Sequence, residues 1–425
     1  MREIPVQSSE SSSPDFTAPE PLWRQAVSGG QILFVAFGAL VLVPLLTGLN
    51  PAMALLGAGV GTLLFQLVTR RQVPIFLGSS FAFIAPIIFS MQMWGPSATM
   101  GALACVSLVY FAFSALVWKH GADVVHRFMP PVVIGPIIMV IGLSLAPVAV
   151  NMAMGRTGDG SAELVPYGVA MIVAAISFGT TVVVAVLARG FLKLVPILAG
   201  VIAGYAASIL FGLVDVKAIM DAPWFAWPAF VTPTFHLAAI LFMLPVALAP
   251  VIEHVGDVVA IGGVTGKDYT ESPGLHRTFA GDGLGVLFAG MIGGPPITTY
   301  SEVTGAVTLT RNFNPAVMTW AAAFAIVMAF FGKFNAFLQS IPVPVMGGIM
   351  MLLFGSVAAV GLKTLIRAGV NMDEPRNLVI VAAVLVFGVG GLALNLGGFS
   401  LQGVSLCGIA AVLLNFLLPR SRDKA

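Results

Sequence analysis

Charge is scarce in this chain. Only 9% of its 425 residues are Asp, Glu, Lys or Arg, and the formal net charge is +2. That excludes the basic stripe by which proteins grip nucleic acid, and no nucleic-acid partner is expected. Cysteine is scarcer still. Cys105 and Cys407 both stand in apolar runs with no pairing pattern, so both read as packing residues. No His/Cys/Asp spacing suggests a metal, and no nucleophile–base pair or phosphate loop suggests an enzyme. Neither a metal nor a cofactor is expected. The ten-residue alternating segments of a transmembrane β-barrel are missing as well.

What is abundant is apolar sequence. Hydrophobic residues make up 58% of the chain and mean hydropathy is +1.00. Runs of about 20 apolar residues, the length that crosses a bilayer core, recur along nearly the whole length. The fold class is therefore an all-α polytopic membrane protein. Turn residues and charges divide the apolar mass into about fourteen segments, near 31–48, 52–69, 74–93, 98–118, 131–150, 166–188, 194–213, 236–259, 277–293, 296–310, 315–331, 342–361, 377–395 and 402–418. With a cytoplasmic N-terminus, this division puts all but three of the 20 Lys and Arg residues on the cytoplasmic side. The exceptions are Arg156, Lys217 and Lys333. One missed span would scramble that asymmetry, so the positive-inside rule supports the count, the orientation and two cytoplasmic termini in a plasma (inner) membrane. Residues 1–24 are polar and rich in Ser and Pro, lack the apolar region of a signal peptide, and read as a disordered cytoplasmic tail.

The chain also repeats itself. "MPPVVIGPIIMVIGLSLA" (129–146) aligns without gaps on "IPVPVMGGIMMLLFGSVA" (341–358), matching Pro130 to Pro342, Gly135 to Gly347 and Ser144 to Ser356. Residues 25–213 and 236–420 then form two seven-span repeats joined by a linker at 214–235. Seven is odd, so the second repeat is inverted in the membrane, a common transporter design. The third span of each half is interrupted at corresponding positions. "VPIFLGSSFAFIAPIIFSM" carries Pro74 and Gly78-Ser79-Ser80, and "GGPPITTYSEVTGAVTLT" carries Pro295-Pro296. Each predicts an extended, strand-like half followed by a half-helix, starting at Ser80 and near Ser301. Both helix N-termini would meet near the midplane and point N–H groups at one cavity.

Acids inside spans are costly and are functional candidates. Glu302 follows the second break. Glu253 and Asp257 lie four apart in "VALAPVIEHVGDVVAIGG" and share one helix face. His254, about a hundred degrees round from Glu253, reads as a packed residue behind the site. Asp282 in "AGDGLG" reads either as the cap that opens the ninth span or as part of the acid network. Burial disfavours the charged form of a carboxyl group, which makes Asp257, Glu253, Glu302 and Asp282 candidates for carrying a coupled proton. Carboxylates as acceptors and helix-end N–H groups as donors suit a planar cyclic amide, which offers both complements. A simple anion would be repelled.

Taken together, "LGSSFAFIAP", "EHVGD", "PPITTYSEVTG" and "IPVPVMGGIMMLLFG" closely resemble the nucleobase–ascorbate transporter family, most nearly its bacterial uracil-carrying members, over roughly residues 24–420. The resemblance implies a nucleobase importer that works by symport, with the proton as coupling ion and sodium kept open. It implies a core domain of spans 1–4 and 8–11 (about 31–118 and 236–331). This core moves against a gate domain of spans 5–7 and 12–14 (about 131–213 and 342–418), commonly in a homodimer. Carried over by position, Glu253 and Glu302 match the substrate-binding glutamates, Phe81 and Ser301 the positions whose backbone N–H groups reach the substrate carbonyls, and Tyr300 a flanking aromatic. Ser80 stands beside Phe81 in the same motif. Two departures stand out. Asp257 replaces a histidine of the uracil carriers and looks more like purine carriers, and Ser301-Glu302-Val303 departs from the family's Gly-Glu-Asn. Uracil leads as the expected substrate, with xanthine or uric acid second and an anion exchanger or channel of the same architecture a distant third.

Overall fold

A computed structural model describes residues 21–122, 124–125, 129–310, 312–396 and 399–419. Among the described residues, seven helical stretches are long and apolar enough to cross a membrane. They are Leu22–Thr47, Pro51–Val68, Phe81–His120, Pro131–Ala153, Tyr167–Leu187, Leu237–Thr265 and Val343–Arg367. Shorter apolar helices follow at Pro196–Leu210, Pro315–Ala329, Pro375–Val389 and Gly403–Leu417. The stretch Phe81–His120 counts twice, because Gly95 (φ 79°, ψ 174°) folds it into a helix that ends span 3 and a helix that forms span 4. With Leu275–Ile292 as span 9 and the short helix Ser301–Thr310 in span 10, fourteen spans result. Span 1 begins at Leu22, nine residues before the sequence-based start, because Leu22, Trp23 and Val27 continue the helix outward. The tail expected at 1–24 is thereby shortened, and its residues up to 20 lie outside those described.

Local chemistry sets the ends. Asn50 and Asn314 each precede a proline at the first helical position, and each side-chain oxygen accepts the N–H two residues on, at 2.8 and 2.9 Å. That is the N-cap chemistry expected of Asn before Pro. Span 8 is broken as its prolines require. One helix ends at Met243, a 3₁₀ turn holds Pro245 at Leu244–Ala247, and the main helix runs Leu248–Thr265.

The two interrupted spans meet. Strand β1 (Leu77–Ser79) pairs antiparallel with strand β2 (Ile297–Thr299), with Leu77 opposite Thr299, Gly78 opposite Thr298 and Ser79 opposite Ile297. Ser80 N–H donates to the Pro296 carbonyl at 2.9 Å and extends the ladder. Extended backbone at membrane depth must find its hydrogen bonds inside the protein, and each strand supplies the other's. Leu77 N–H adds a bond to Thr62 Oγ1 at 2.9 Å, tying the pair to span 2.

Three contacts share one symmetry. Spans 2 and 9 cross at Gly61 and Gly285, where a Cβ on either would stand 3.2 or 3.3 Å from the other's Cα. On one side of that crossing Gly57 faces Ala289, and on the other Gly281 faces Phe65. By the offset that relates Gly61 to Gly285, Gly57 is equivalent to Gly281 and Phe65 to Ala289. Spans 5 and 12 behave alike. Gly135 faces Leu365 while its repeat partner Gly347 faces Ala153, and those two neighbours are themselves repeat partners. The β1–β2 register maps onto itself about Gly78 and Thr298. Contacts that exchange equivalent residues are the pattern two inverted copies make across a two-fold axis.

Loops that the charge pattern assigns to the lysine- and arginine-poor side touch one another. In the linker, Ala226 N–H bonds Phe330 O, Val231 N–H bonds Ile292 O and Thr234 N–H bonds Ser97 O. The linker is thus an ordered strap, with a helix at Val216–Asp221 and exposed Trp224 and Trp227 suited to a membrane interface.

Candidate substrate-binding site

The strand pair hands each chain to a helix at the same depth. Span 3 resumes as a 3₁₀ turn at Phe81–Phe83 and an α-helix from Ile84. Span 10 resumes at Ser301, as the sequence predicts. Helix N-termini leave N–H groups without intrahelical partners and carry the positive end of the dipole. Ser80 precedes the span-3 helix but makes no capping bond. Its Oγ is buried and unpartnered among the described residues, a polar atom left beside the site.

Glu302 lies in the first turn of the span-10 helix and is exposed, although its chain neighbours Tyr300 and Val303 are buried. An exposed carboxyl group in the middle of the sequence of a membrane span faces an opening in the protein. Glu253, on the span-8 helix, is half-buried, as is Phe81. Glu253 lies within electrostatic reach of Asp257, Glu302 and Asp282. The structure therefore brings together Glu253, Glu302, Phe81 and Tyr300, the residues singled out from sequence. The Phe81 ring stands 6.3 Å from that of Tyr300, and Tyr300 also covers the flat face of Gly78.

Asp257, one turn on from Glu253, is 5% exposed. Its Oδ2 accepts the Thr299 hydroxyl at 2.8 Å, fastening span 8 to strand β2. Asp282 does not open span 9. That helix begins at Leu275, so Asp282 sits two turns in and is fully buried, and the capping expectation is corrected. Its Oδ2 meets His254 Nδ1 at 2.8 Å, and His254 Nε2 meets Thr278 Oγ1 at 2.9 Å. The imidazole is also stacked on Phe279, with centroids 4.8 Å apart. His254 is thus a packed residue that ties span 8 to span 9. Behind the site, Asp282, Thr298 and Tyr110 form a buried polar cluster in which the Thr298 hydroxyl lies near both Asp282 and Tyr110.

Sequence reading missed Thr299, Thr278, Tyr110 and Phe354. The Phe354 ring, on span 12, stands 6.4 Å from Phe81 in an edge-on contact and brings span 12 against the site. A signal existed for Thr299, since four hydroxyl residues in a row precede Glu302. None existed for Tyr110 or Thr278, which are brought in only by the packing of spans 4 and 9.

Paired broken spans, a strand ladder between them and acids at the helix starts define a multi-pass membrane carrier. Residues 24–397 match the model described as the permease family, of the xanthine and uracil type, and the chain belongs to that family. Its members are transporters, not enzymes. The chain is 54% identical over 401 residues to a probable uracil permease of Haemophilus influenzae, covering 94% of this chain and 96% of that one. It is 44% identical to the uracil permease of Bacillus caldolyticus, over 92% and 90% of the two chains. Identity to the uracil permease of Escherichia coli strain K12 is 39%, over 93% and 92%. Among solved structures, the transmembrane domain of a cyanobacterial bicarbonate transporter superposes with a TM-score of 0.68 at 16% identity, over 92% of this chain and 97% of that one. A murine anion transporter of solute carrier family 26, in an inward-facing state, gives 0.69 at 12% identity over 95% and 69%. At such identities the likeness shows the fold alone.

Proposed function

We propose that this protein imports a nucleobase, uracil foremost, by proton symport across the inner membrane, with both termini in the cytoplasm. The observation that carries this reading is the placement of Glu253 and Glu302 beside two helix N-termini joined by the β1–β2 ladder. Uracil presents two ring N–H donors and two carbonyl acceptors. The carboxylates of Glu253 and Glu302 accept the former, and the backbone N–H groups of Phe81 and Ser301 donate to the latter. Phe81 and Tyr300 flank the ring with aromatic surface. The relatives of 39–55% identity named as uracil permeases support the same substrate. Asp257, where the uracil carriers have histidine, is the feature that favours xanthine or uric acid. Its bond to Thr299, however, gives it a fastening role that either substrate tolerates. The anion reading has only the fold in its favour, and two acids in the site oppose it.

In this reading spans 1–4 and 8–11 move as a core against a gate of spans 5–7 and 12–14, exposing the site to each side in turn, and the working unit is a homodimer. The proton rides on one of the site carboxyl groups. Proteoliposomes holding the purified chain should take up radiolabelled uracil when an inward proton gradient is imposed, and a sodium gradient alone should not drive it. Absence of uptake for both uracil and xanthine would overturn the proposal. Uptake of xanthine alone would move the substrate to the purines.

A further inference from the structure

A second polar cavity, of about 730 Å³, lies on the lysine- and arginine-rich face, away from the acids of the site. Its walls come from three loops of the proposed core: Arg71 and Gln72 after span 2, Lys267, Asp268 and Tyr269 after span 8, and Phe313 to Pro315 before span 11. The substrate reading leaves it unused.

The charges around this cavity are weighted toward the positive, Arg71 and Lys267 against Asp268. Its acid, Asp268, is already engaged. Oδ1 accepts the Thr270 N–H at 2.8 Å and the Thr270 hydroxyl at 2.6 Å, and these bonds hold the carboxyl group below its ordinary range. Asn314 is spent on capping span 11. Arg71 gives one N–H to Thr319 Oγ1 at 3.3 Å, and Thr319 in turn donates to Gln66 at 2.7 Å. This chain orients the guanidinium at the rim while leaving its remaining donors over. Arg70 and Arg71 both hold positive φ, 56° and 53°, a conformation few non-glycine residues adopt. Arg71 N–H bonds back to Gln66 O at 2.7 Å, which fixes that turn. Arg71 and Lys267 thus bring two positive charges to the space against the one carboxylate of Asp268, whose Oδ1 is held by Thr270.

Such a site suits an anion that Arg can hold in a fork and Lys can hold as a point charge. The cavity falls in the range of small-ligand sites, about 300–1,000 Å³, and is larger than a bare phosphate needs. Tyr269 and Phe313 supply aromatic wall for the rest of the ligand. We propose that this cavity binds a phosphate monoester carried on a larger planar or apolar body. Two sources share that chemistry, a nucleoside monophosphate from the cytoplasm and a phosphatidate-type headgroup from the inner leaflet.

The test uses the full chain in nanodiscs of phosphatidylcholine alone, with thermal melting as the readout, since a ligand of the folded state raises the melting temperature. Uridine monophosphate, uridine and inorganic phosphate are titrated separately, and a parallel set of nanodiscs contains phosphatidic acid. A rise with uridine monophosphate but not uridine assigns the nucleotide, and a rise confined to the phosphatidic acid discs assigns the lipid. Either rise should fall with added salt. The titration midpoint should weaken at least tenfold in the Arg71→Gln/Lys267→Gln double variant. Lys267→Gln alone, a change in an exposed loop, should weaken it in the same direction. The ligand-free melting temperature of each variant reports that it is folded. The proposal is overturned if neither uridine monophosphate nor phosphatidic acid raises the melting temperature. It is overturned equally if uridine matches uridine monophosphate, or if the variants respond as the parent does.

Discussion

Replacing His254 by Ala removes the partner of Asp282 Oδ2 and leaves a fully buried carboxyl group with only the Thr298 hydroxyl and the Thr299 N–H nearby. Breaking a buried pair from one side costs about 3–5 kcal/mol. His254→Ala should therefore lower the melting temperature sharply, and adding Asp282→Asn should restore part of the loss, because an amide tolerates burial better than an unpaired carboxylate. A second change separates binding from folding. Glu302→Gln keeps the shape of an exposed side chain while exchanging a charged acceptor for a neutral amide. A hydrogen bond to a charged group contributes about 1.5–3 kcal/mol, so uracil affinity measured by calorimetry should fall roughly ten- to a hundredfold, with the melting temperature unchanged. Normal uracil binding by this variant would remove Glu302 from the site. At this scale the acids were legible because a charge inside an apolar run has no structural excuse. The role of Asp257 was not, because its partner Thr299 is reached only through a strand pairing that no local pattern announces.

At the scale of elements, glycine decides how closely the spans approach. A Cβ on Gly347 would stand 2.5 Å from the Met152 carbonyl carbon and 2.6 Å from Ala153 Cα, backbone that has no room to yield. Overpacking of this kind costs about 1–3 kcal/mol. Gly347→Leu should lower the detergent melting temperature, whereas Gly179→Ala, which meets nothing within 4 Å, should leave it level or raise it. The same residue pair, Gly135 and Gly347, was visible in the sequence as a repeat match. That match exposed the duplication without showing that the matched glycines serve one crossing. The half-helix of span 10 was legible to the residue, since Pro295 and Pro296 forbid helix before it and a hydroxyl-rich run delays it. The break after span 3 was legible too: the division between residues 93 and 98 falls on Gly95 and Pro96, and the chain turns at Gly95.

For the whole molecule, the clustering of loops predicts sidedness. Single cysteines placed at Asp159 and Lys217, in a variant lacking Cys105 and Cys407, should react with an impermeant maleimide in intact cells. Cysteines at Lys267 and Asn371 should react only after the membrane is opened. The reverse pattern would invert the proposed orientation. Asp159 has a further property, since hydrogen bonds from the Thr157 hydroxyl and from the Ser161 N–H and hydroxyl draw its carboxyl group down to about 2. That loop therefore keeps its negative charge, and its hydrogen bonds, down to about pH 3.

The depth of the strand ladder has an electrical consequence. The ten residues of the span-10 helix cover about 15 Å, half of a hydrocarbon core of about 30 Å. With the end of that helix at the membrane surface, as the proposed topology has it, Glu302 stands near the middle of the voltage drop. In the proposed symport, a proton reaching Glu302 from outside would have descended about half of the field, which at 100 mV is roughly 1 kcal/mol. An inside-negative potential would then favour loading the carrier as well as returning it, and the apparent proton affinity for uptake would rise with polarisation even at fixed external pH.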